Sequence, residues 1–587
     1  MQKVREKKEK NFKLKKYLSN YKRYLFFGPF FKALEAITEV IVPFLMAVII
    51  DQYIGLGNKQ GIIWFSVLIL GLNVIGIVFA IIGQKMASIA GESIGRDIRN
   101  DIFKHINTLS HKELDQFTTT ELLNRNIFDV YHVQEGISMI MRTVMRIPFL
   151  LIGSLVMAIT INAKLSLVFL FVIPFLLGVV LLVMKKLTPL LITSKKMVDK
   201  TSQVTRENLS GNRVVRAFNK QEYEIERFKS TNKDLLDVNI KEGKINAILP
   251  SIITLIVNSA IIILIYFGAI EINTGSGMSQ GYLIAFINYF AQISMALVLV
   301  AHLIIMLTRM KTSSDRIEQV LSTKNTITDP EKPLKISSEK FIPSVEFKDV
   351  TFSYNDTKNI LEGFNLKVKP GENIGIIGGT GSGKSSIVNL ILRLYDPQKG
   401  EVLIGGNNIK KYSLDFLRQE ISMVPQNPIL FEGTIASNLK WRNENATPSE
   451  MTFALKIAQA YDFVAAYDDF LNHKVNRGGT NFSGGQKQRL TIARALINKP
   501  KILILDDSSS ALDFATDAKL RKAISKNMAE TTLFIVSQRT NSIKDCNKII
   551  VLDSGTVVGM GTHEELLKNC EIYKEIHYSQ NKKGGLK

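Results

Sequence analysis

The chain has 587 residues, of which 46% are hydrophobic and 22% charged, and its mean hydropathy of +0.11 argues against a wholly soluble protein. Lys and Arg outnumber Asp and Glu by 74 to 53, and the net charge of +21 favours an anionic partner such as phospholipid, nucleic acid or nucleotide. Two cysteines, Cys546 and Cys570, cannot form a disulfide framework and give no support to an oxidising compartment.

The apolar residues are concentrated in the first half of the chain. Residues 1–24 are basic and polar, which is not the pattern of a cleavable signal peptide, so we expect a cytosolic segment there. A membrane-spanning helix needs about 20 apolar residues. Six runs reach or approach that length: 25–54, 60–84, 139–162, 165–186, 246–270 and 280–308. The sequence therefore predicts an α-helical membrane domain with six transmembrane helices over residues 25–310.

The distribution of basic residues predicts the orientation of these spans. Lysines and arginines dominate the segment before the first span, whereas the loops after spans 1, 3 and 5 contain only Lys59 and Lys164 as basic residues. By the positive-inside rule both chain termini are expected in the cytosol of a cell with this protein in its cytoplasmic membrane. Membrane lipid then accounts for most of the positive charge, and we expect no nucleic-acid partner.

Two long polar segments, 86–138 and 187–244, separate the spans on the cytosolic side. Both have helical patterns with charged faces, so spans 2 to 5 are expected to continue as helices into the cytosol. Two short pieces, Leu109–Phe117 and Gly211–Phe218, are either tips that contact another domain or the turns of plain solvated hairpins. The residue pattern alone leaves both interpretations open.

Charged side chains lie within or beside several spans. Glu35 and Glu39 are one helical turn apart, and they either form a functional site or lie near the inner interface with Lys32 as a partner. Arg142 and Arg146, at the cytosolic end of the third span, are expected to snorkel towards the interface. Four aromatic residues of the sixth span either line a pocket for lipophilic molecules or pack within the bundle: Tyr282, Phe286, Tyr289 and Phe290.

The second half of the chain has a different character. Residues 311–344 are a polar linker, and residues 345–587 alternate short β-rich runs with helices, which predicts an α/β domain. A strand over 373–377 precedes a sequence that matches G-x-x-x-x-G-K-[ST], and a helix follows it. Its backbone N–H groups would surround phosphate oxygens, with Lys384 neutralising the β- and γ-phosphates of ATP and Ser385 binding Mg²⁺. The predicted phosphate-binding residues are Gly378, Gly379, Thr380, Gly381, Ser382, Gly383, Lys384, Ser385 and Ser386.

Two further motifs lie downstream. Residues 501–506 form an apolar strand that ends in Asp506, a carboxylate placed to hold Mg²⁺ through water. Upstream of it, Asn481–Arg489 reads NFSGGQKQR, which resembles the LSGGQ signature of ATP-binding cassette (ABC) transporters. The resemblance covers essentially the whole chain, since six spans followed by one nucleotide-binding domain are similar to a half-transporter of the exporter type. A soluble ABC ATPase is excluded by the six spans.

The resemblance implies roles for further residues. Tyr354 would stack on adenine, and Gln426 would sense Mg²⁺ and the γ-phosphate and face the membrane domain. Leu109–Phe117 and Gly211–Phe218 would be coupling helices, and Ser510–Asp513 would be the D-loop. The signature residues would close over the γ-phosphate held by the opposite nucleotide-binding domain: Ser483, Gly484, Gly485 and Gln486. The implied Mg²⁺ ligands, partly through water, are Ser385, Gln426 and Asp506.

The chain departs from the family pattern at three places. Asp507 stands where the family has a glutamate that polarises the attacking water, and Gln538 stands where it has a histidine that contacts the γ-phosphate. Asn476–Gly478 replaces a usual E-R-G sequence, which removes an acidic contact with the coupling helices. Because two departures affect one hydrolytic site, we interpret that site as degenerate.

The resulting hypothesis is a subunit of a heterodimeric multidrug exporter. A second half-transporter would supply the intact glutamate and histidine, and ATP hydrolysis would drive efflux of lipophilic or amphiphilic compounds across the cytoplasmic membrane. Two alternatives remain open at this point. The chain is either a homodimeric exporter of lipid or peptide with slow Asp507-based hydrolysis, or a nucleotide-gated channel or regulatory subunit.

Overall fold

The computed structural model describes residues 14–274, 278–355 and 358–581. The chain divides into two compact units, each described by itself below. The helical unit comprises residues 1–107 and 118–323, and the α/β unit comprises residues 108–117 and 324–587. Residues 1–13 of the expected cytosolic segment lie outside the described part of the chain.

The helical unit contains long apolar helices. Within the described ranges, six helical segments are long and apolar enough to cross a membrane: Lys22–Ile54, Lys59–Thr108, Thr119–Ile161, Ala163–Ala217, Gln221–Asn273 and Gln280–Leu321. They coincide with the six predicted spans and extend well beyond most of them. The helices up to residue 321 are α1 (Leu14–Asn20), α2 (Lys22–Val48), α3 (Lys59–Thr108), α4 (His111–Leu114), α5 (Thr119–Asn124), α6 (Val130–Thr143), α7 (Arg146–Ile161), α8 (Ala163–Ala217), α9 (Gln221–Asn273) and α10 (Gln280–Leu321).

Two boundaries differ from the sequence prediction. The third span was predicted as one run over 139–162, but α6 ends at Thr143 and α7 begins at Arg146. Pro148 lies in the first turn of α7, where proline is favoured because it has no N–H to donate to the carbonyl one turn earlier. Residues 311–321, which were assigned to the linker, are the end of α10.

Oppositely charged side chains meet where α2 packs beside α7. Lys32 Nζ lies 2.6 Å from Glu35 Oε2, and both residues are buried. Arg146 Nη2 donates to Glu39 Oε1 at 2.7 Å, and its Nη1 lies 3.8 Å from Glu35 Oε1. The pairing with Lys32 is therefore the arrangement observed for Glu35. Arg146 was expected to snorkel, and instead it pairs with both carboxylates because they lie within its reach.

A substitution at Glu35 tests the contribution of this cluster to stability. Glu35→Gln leaves the buried Lys32 ammonium without its nearest counter-ion, and removing one partner of a buried pair costs about 3–5 kcal/mol. We expect a clear fall in the thermal unfolding midpoint of the full chain in detergent. The double variant Lys32→Met/Glu35→Met removes both charges and is expected to recover most of that loss. Equal midpoints for Glu35→Gln and the unaltered chain would show that Lys32 finds water or another carboxylate.

The four aromatic side chains of the sixth span pack within the bundle. Three of them belong to its buried core: Phe286, Tyr289 and Phe290. The ring of Phe169 lies 5.4 Å from that of Phe290, and Tyr289 Oη donates to the Val40 carbonyl at 3.0 Å. Tyr282 is partly buried and stacks on an aromatic ring of α2. Of the two interpretations left open, packing is the one observed.

The α/β unit is built on a six-stranded sheet with the order β12-β11-β3-β10-β9-β6, which is parallel except for the antiparallel β12. A four-stranded antiparallel sheet, β2-β1-β4-β5, and a two-stranded sheet, β7-β8, complete it. The strands are β1 (Val345–Phe352), β2 (Leu361–Val368), β3 (Asn373–Gly378), β4 (Lys399–Ile404), β5 (Asn407–Asn408), β6 (Ile421–Val424), β7 (Gly433–Thr434), β8 (Lys474–Val475), β9 (Ile502–Asp506), β10 (Thr532–Val536), β11 (Lys548–Asp553) and β12 (Thr556–Gly561).

Helices cover this sheet and contribute to its core. Their bounds are α11 (Lys384–Ile391), α12 (Leu414–Glu420), α13 (Ile435–Leu439), α14 (Pro448–Ile457), α15 (Tyr461–Ala465), α16 (Gly484–Leu496), α17 (Phe514–Asn527), α18 (Thr540–Ile543), α19 (His563–Asn569) and α20 (Glu571–Asn581). Every residue of β9 and β10 is buried, as expected for parallel strands covered on both faces. Because β3, β6, β9 and β10 run parallel, their carboxyl ends meet at one edge of the sheet, where ligands bind in such folds.

Candidate nucleotide-binding site

A glycine-rich loop connects β3 to α11 at this edge of the sheet. Gly381 and Gly383 have φ angles of 81° and 97°, which an L-residue rarely adopts, so the tight loop depends on glycine at both positions. Lys384 Nζ donates to the carbonyls of Gly378 and Gly379 at 3.0 and 2.6 Å. The lysine thus folds back over the loop, with its cation where phosphate oxygens would bind.

A hydroxyl and a carboxylate converge beside this loop. Ser385 Oγ lies 3.4 Å from Asp506 Oδ1, at the carboxyl end of β9. Burial raises the pKa of Asp506, the Asp507 charge raises it further, and the Ser385 hydrogen bond and the Lys384 charge oppose the shift. Oxygen donors of these two types are the ligands that Mg²⁺ prefers, so the residues present fit that ion.

Asp507 directly follows the strand and has an unusual backbone. Its φ of 44° lies in the left-handed region, which Asp tolerates better than most residues. Gln426 Nε2 donates to Asp507 Oδ2 at 3.2 Å. Burial raises the pKa of Asp507, and this effect is opposed by the Gln426 hydrogen bond and by the charges of Arg539 and Lys384. The structure therefore brings Gln426 and Asp507 together, next to the lysine of the loop.

Gln538 lies at the end of the neighbouring strand. Strands β9 and β10 pair in parallel with Asp506 opposite Val536, so the residues that follow them emerge side by side. The Asp507 backbone N–H donates to the Val536 carbonyl at 2.9 Å, two residues before Gln538, and Gln538 itself is exposed. The two positions at which the sequence departs from the family pattern are therefore neighbours at one edge of the sheet.

The D-loop is tied to the same strand end by Arg539, which the sequence analysis did not single out. Its guanidinium donates to the carbonyls of Ser509 and Leu512 at 3.5 and 3.4 Å and to that of Ser510 at 3.3 Å. The guanidinium carbon also lies 5.1 Å from the centre of the Phe514 ring, a cation–π distance. The sequence shows that Arg539 is adjacent to Gln538, but it does not show the hydrogen-bond partners of Arg539, which lie about 30 residues away along the chain.

The signature residues form the N-terminus of α16. Ser483 Oγ accepts a hydrogen bond from the Gln486 backbone N–H at 3.3 Å, and Gln486 Oε1 accepts one from the Ser483 N–H at 2.9 Å. This capping box fixes the start of the helix. Ser483 and Gly484 are exposed, and Gly485 and Gln486 are half-buried. The helix N-terminus with its unpaired N–H groups therefore faces outward, where an anion held by another molecule can approach it.

Tyr354 stands beside the phosphate-binding loop. Its hydroxyl lies 3.0 Å from Ser386 Oγ and accepts a hydrogen bond from Asn389 Nδ2 at 3.3 Å. The Tyr395 ring packs edge-on against it, with the ring centres 5.0 Å apart. These contacts anchor the half-buried Tyr354 ring next to the first turns of α11, as an adenine-stacking residue requires.

The first tip segment, Leu109–Phe117, belongs to the α/β unit, which includes residues 108–117. Tyr395 Oη donates to Asp115 Oδ2 at 2.6 Å, and Thr326 Oγ1 donates to Glu113 Oε1 at 2.8 Å. Glu113 is buried. These contacts all lie within the α/β unit, and Tyr395 is a contact residue that no motif had indicated.

Comparisons with known proteins cover both units. Residues 25–297 match the family model for the ABC transporter transmembrane region, and residues 361–510 match the model described as ABC transporter. An uncharacterized ABC transporter ATP-binding protein of Mycobacterium tuberculosis is 34% identical over 97% of this chain and 98% of its own length. The ATP-dependent lipid A-core flippase of Desulfotalea psychrophila is 33% identical over 86% of this chain and 86% of its own length.

A solved structure shows the same fold. A bacterial Atm1-family ABC exporter with ATP bound superposes with a TM-score of 0.78 at 22% identity, over 98% of this chain and 99% of that chain. The predicted fold class, six membrane helices followed by an α/β nucleotide-binding domain, is confirmed. The chain belongs to the ABC transporter family and is an ATPase-coupled transporter with the exporter fold.

Proposed function

We propose that this chain is one subunit of a heterodimeric exporter and contributes a degenerate ATP site together with an intact signature. The observation that carries the proposal is the meeting of Asp507 and Gln538 at the ends of paired strands. Each residue stands where the family has a group needed for hydrolysis. Two substitutions in one small region weaken the same reaction.

The chemistry of both side chains explains the weakening. Asp507 is one methylene shorter than glutamate, and a general base misplaced by about 1 Å can lose about 10²-fold in rate. Its carboxylate is also occupied by a hydrogen bond from Gln426 at 3.2 Å. Gln538 can donate a hydrogen bond to a phosphate oxygen, but unlike histidine it cannot become a cation.

The site, by contrast, contains the side chains and backbone groups that would bind ATP. Tyr354 would stack on adenine, Lys384 would neutralise the β- and γ-phosphates, and the loop N–H groups would surround them. Ser385 and Asp506, with Gln426 nearby, would hold Mg²⁺, partly through water. When bound, that ion would offset negative charge on the phosphates. The site is thus suited to hold ATP for a long time rather than to cleave it quickly.

The proposed partner is a second ABC half-transporter. Ser483 and Gly484 at the exposed start of α16 would cover the γ-phosphate bound to that partner, which would supply the competent glutamate and histidine. The second tip segment, Gly211–Phe218, would serve as a coupling helix towards a nucleotide-binding domain. Its side chains Val214 and Phe218 are 60% and 72% exposed, so it offers apolar surface for that contact.

The substrate class follows from the membrane location. We place both termini and the α/β unit in the cytosol of a cell whose cytoplasmic membrane holds the six helices, because basic residues dominate the segments on that side. ATP binding and hydrolysis would shift the membrane helices between inward- and outward-facing populations. Lipophilic or amphiphilic molecules reach such a site from the membrane itself, so we propose multidrug-type efflux.

The second candidate function is lipid export by a homodimer. It is favoured by the 33% identity to the lipid A-core flippase of Desulfotalea psychrophila, over 86% of both chains. In that case Asp507 would act as a slow general base at two identical sites, and the transported molecule would be an amphiphilic lipid.

Reconstitution into liposomes tests these proposals. We expect ATP-dependent transport of a fluorescent lipophilic dye only when this chain is purified together with a second half-transporter, and little ATPase activity without it. Movement of a fluorescent phospholipid by the chain alone would support the homodimeric lipid exporter instead. If solute flows only down its gradient while ATP binding opens the path, the protein is a gated channel, and both exporter proposals are wrong.

A further inference from the structure

The C-terminal helix α20 reaches the strand end that carries Gln538. Gln580 Nε2 donates to the Gln538 carbonyl at 2.6 Å. Its Oε1 accepts hydrogen bonds from the Thr540 backbone N–H at 2.9 Å and from Thr540 Oγ1 at 3.3 Å. One side-chain amide therefore pairs with a carbonyl and an N–H of the same loop, much as a neighbouring strand would. These contacts span about 40 residues of sequence.

The rest of α20 fixes the position of this amide. Tyr573 is fully buried in the core of the α/β unit, and its hydroxyl lies 2.7 Å from Nδ1 of His563 on α19. His577 Nδ1 lies 3.1 Å from Thr540 Oγ1, one turn before Gln580. The helix is thus anchored at one end by a buried tyrosine and contacts the loop at the other. The sequence has no histidine directly at the end of β10, yet His577 comes beside the loop in space.

The loop that Gln580 contacts has consequences for the nucleotide site. It carries the side chain of Gln538, and directly before it the Val536 carbonyl accepts a hydrogen bond from the Asp507 backbone N–H at 2.9 Å. A shift of this loop therefore moves two groups at the candidate γ-phosphate position together. Hydrogen bonds from outside the loop restrict such shifts, because a short segment at a strand end has few contacts of its own.

We propose that Gln580 is a positioning residue of the nucleotide site, which fixes the backbone of residues 538–540 so that Gln538 meets the γ-phosphate of bound ATP. The inference rests on the proposed function in one respect, namely that Gln538 faces that phosphate. It assigns to the C-terminal helix a part in ATP retention that no sequence motif indicates. The amide acts through the loop and does not itself touch the nucleotide.

The test measures ATP binding and ATP release separately on the purified full-length chain in lipid nanodiscs, with any subunit that co-purifies. Radiolabelled ATP with Mg²⁺ is the probe, and filter binding after a chase gives the release rate. Gln580→Ala is expected to change the association rate of ATP less than about twofold and to speed release about tenfold, the factor in affinity that the loss of one or two hydrogen bonds produces. Gln538→Ala should give a similar acceleration, and the double variant should release ATP no faster than either single variant.

Two further variants separate positioning from general stability. Gln580→Glu has the same shape and still accepts from the Thr540 N–H, but its carboxylate cannot donate to the Gln538 carbonyl, so it should release ATP as fast as Gln580→Ala. Glu575→Ala, an exposed position on the same helix, should behave as the unaltered chain. A loss of thermal stability in step with faster release would reduce Gln580 to a helix-docking residue and overturn the inference.

The outcomes also distinguish this inference from the proposed function. Normal release by Gln580→Ala together with fast release by Gln538→Ala would overturn the positioning role and leave the degenerate-site proposal standing. Normal release by both variants would show that Gln538 does not hold the γ-phosphate, and both proposals would then be wrong. Additive acceleration in the double variant would mean that the two residues act independently, which also contradicts positioning.

Discussion

Gly485→Asp is expected to reduce ATP turnover of the assembled transporter by about 10²-fold or more, whereas Asp507→Asn is expected to reduce it less than about threefold. In the proposed heterodimer the signature glycine would serve the competent site of the partner, where a new carboxylate would repel the γ-phosphate. The space is also tight, since a Cβ at Gly485 would lie 3.2 Å from the Ala511 carbonyl. Asp507 would lie in the degenerate site of the proposal, where little hydrolysis would be lost.

Steady-state ATPase activity of the reconstituted two-subunit complex provides the measurement. Asn569→Asp adds the same charge at an exposed position of α19 and serves as the matched control. Removal of a working general base costs about 10²–10⁴-fold, so the two expected results are well separated. If Asp507→Asn silences the protein, and the chain alone transports as a homodimer, Asp507 is a working base and the degenerate-site proposal is wrong.

Lys384→Ala is expected to weaken ATP binding to this chain by about 10–100-fold. The side chain would lose charge-assisted hydrogen bonds to the β- and γ-phosphates, together worth about 1.5–3 kcal/mol. Burial lowers the pKa of Lys384, but the charges of Asp506 and Asp507 oppose that shift. The ammonium group is thus held near two carboxylates that favour its charged form, and alanine removes that charge entirely.

Photolabelling of this subunit with an azido analogue of ATP checks the loss. Lys384→Arg keeps the positive charge and should retain part of the labelling, which separates the effect of charge from that of loop geometry. Lys411→Ala, at an exposed position of the same unit, is the control for any general effect of removing a lysine. Undiminished labelling of Lys384→Ala would mean that ATP binds elsewhere on this chain.

Local patterns predicted the parts of the site that depend on neighbours in sequence. Three such parts are each determined by about ten consecutive residues: the glycine spacing before Lys384, the apolar strand ending in Asp506 and the start of α16 at Ser483. A tight loop, a buried strand and a helix cap each require particular residue types at fixed spacings, so they can be recognised in the sequence. The six apolar spans were predictable for the same reason, because hydropathy is a property of a continuous segment.

The contacts that escaped prediction join residues far apart along the chain. Asp115 and Tyr395 are 280 residues apart, and Gln538 and Gln580 are 42 apart. Each of these is an ordinary polar residue on an ordinary segment, so its partner is decided only by packing. Arg146 was misjudged in the same way, since its carboxylate partners lie on α2, more than 100 residues earlier. Sequence patterns thus predicted candidate binding groups but not the residues that contact them across the fold.

The lengths of α8 and α9 have a mechanical consequence. With 55 and 53 residues, each extends about 80 Å, and only about 30 Å of that length fits within the hydrocarbon layer. A rotation of about 10° at the membrane surface would therefore move the far tip by about 9 Å, so the pair acts as a lever arm with a long stroke. Salt bridges between Arg227 and Glu207 and between Lys200 and Asp234 connect the two helices along their length. Both pairs are exposed and add only weakly to the association of the two helices, so the length of the helices sets the stroke.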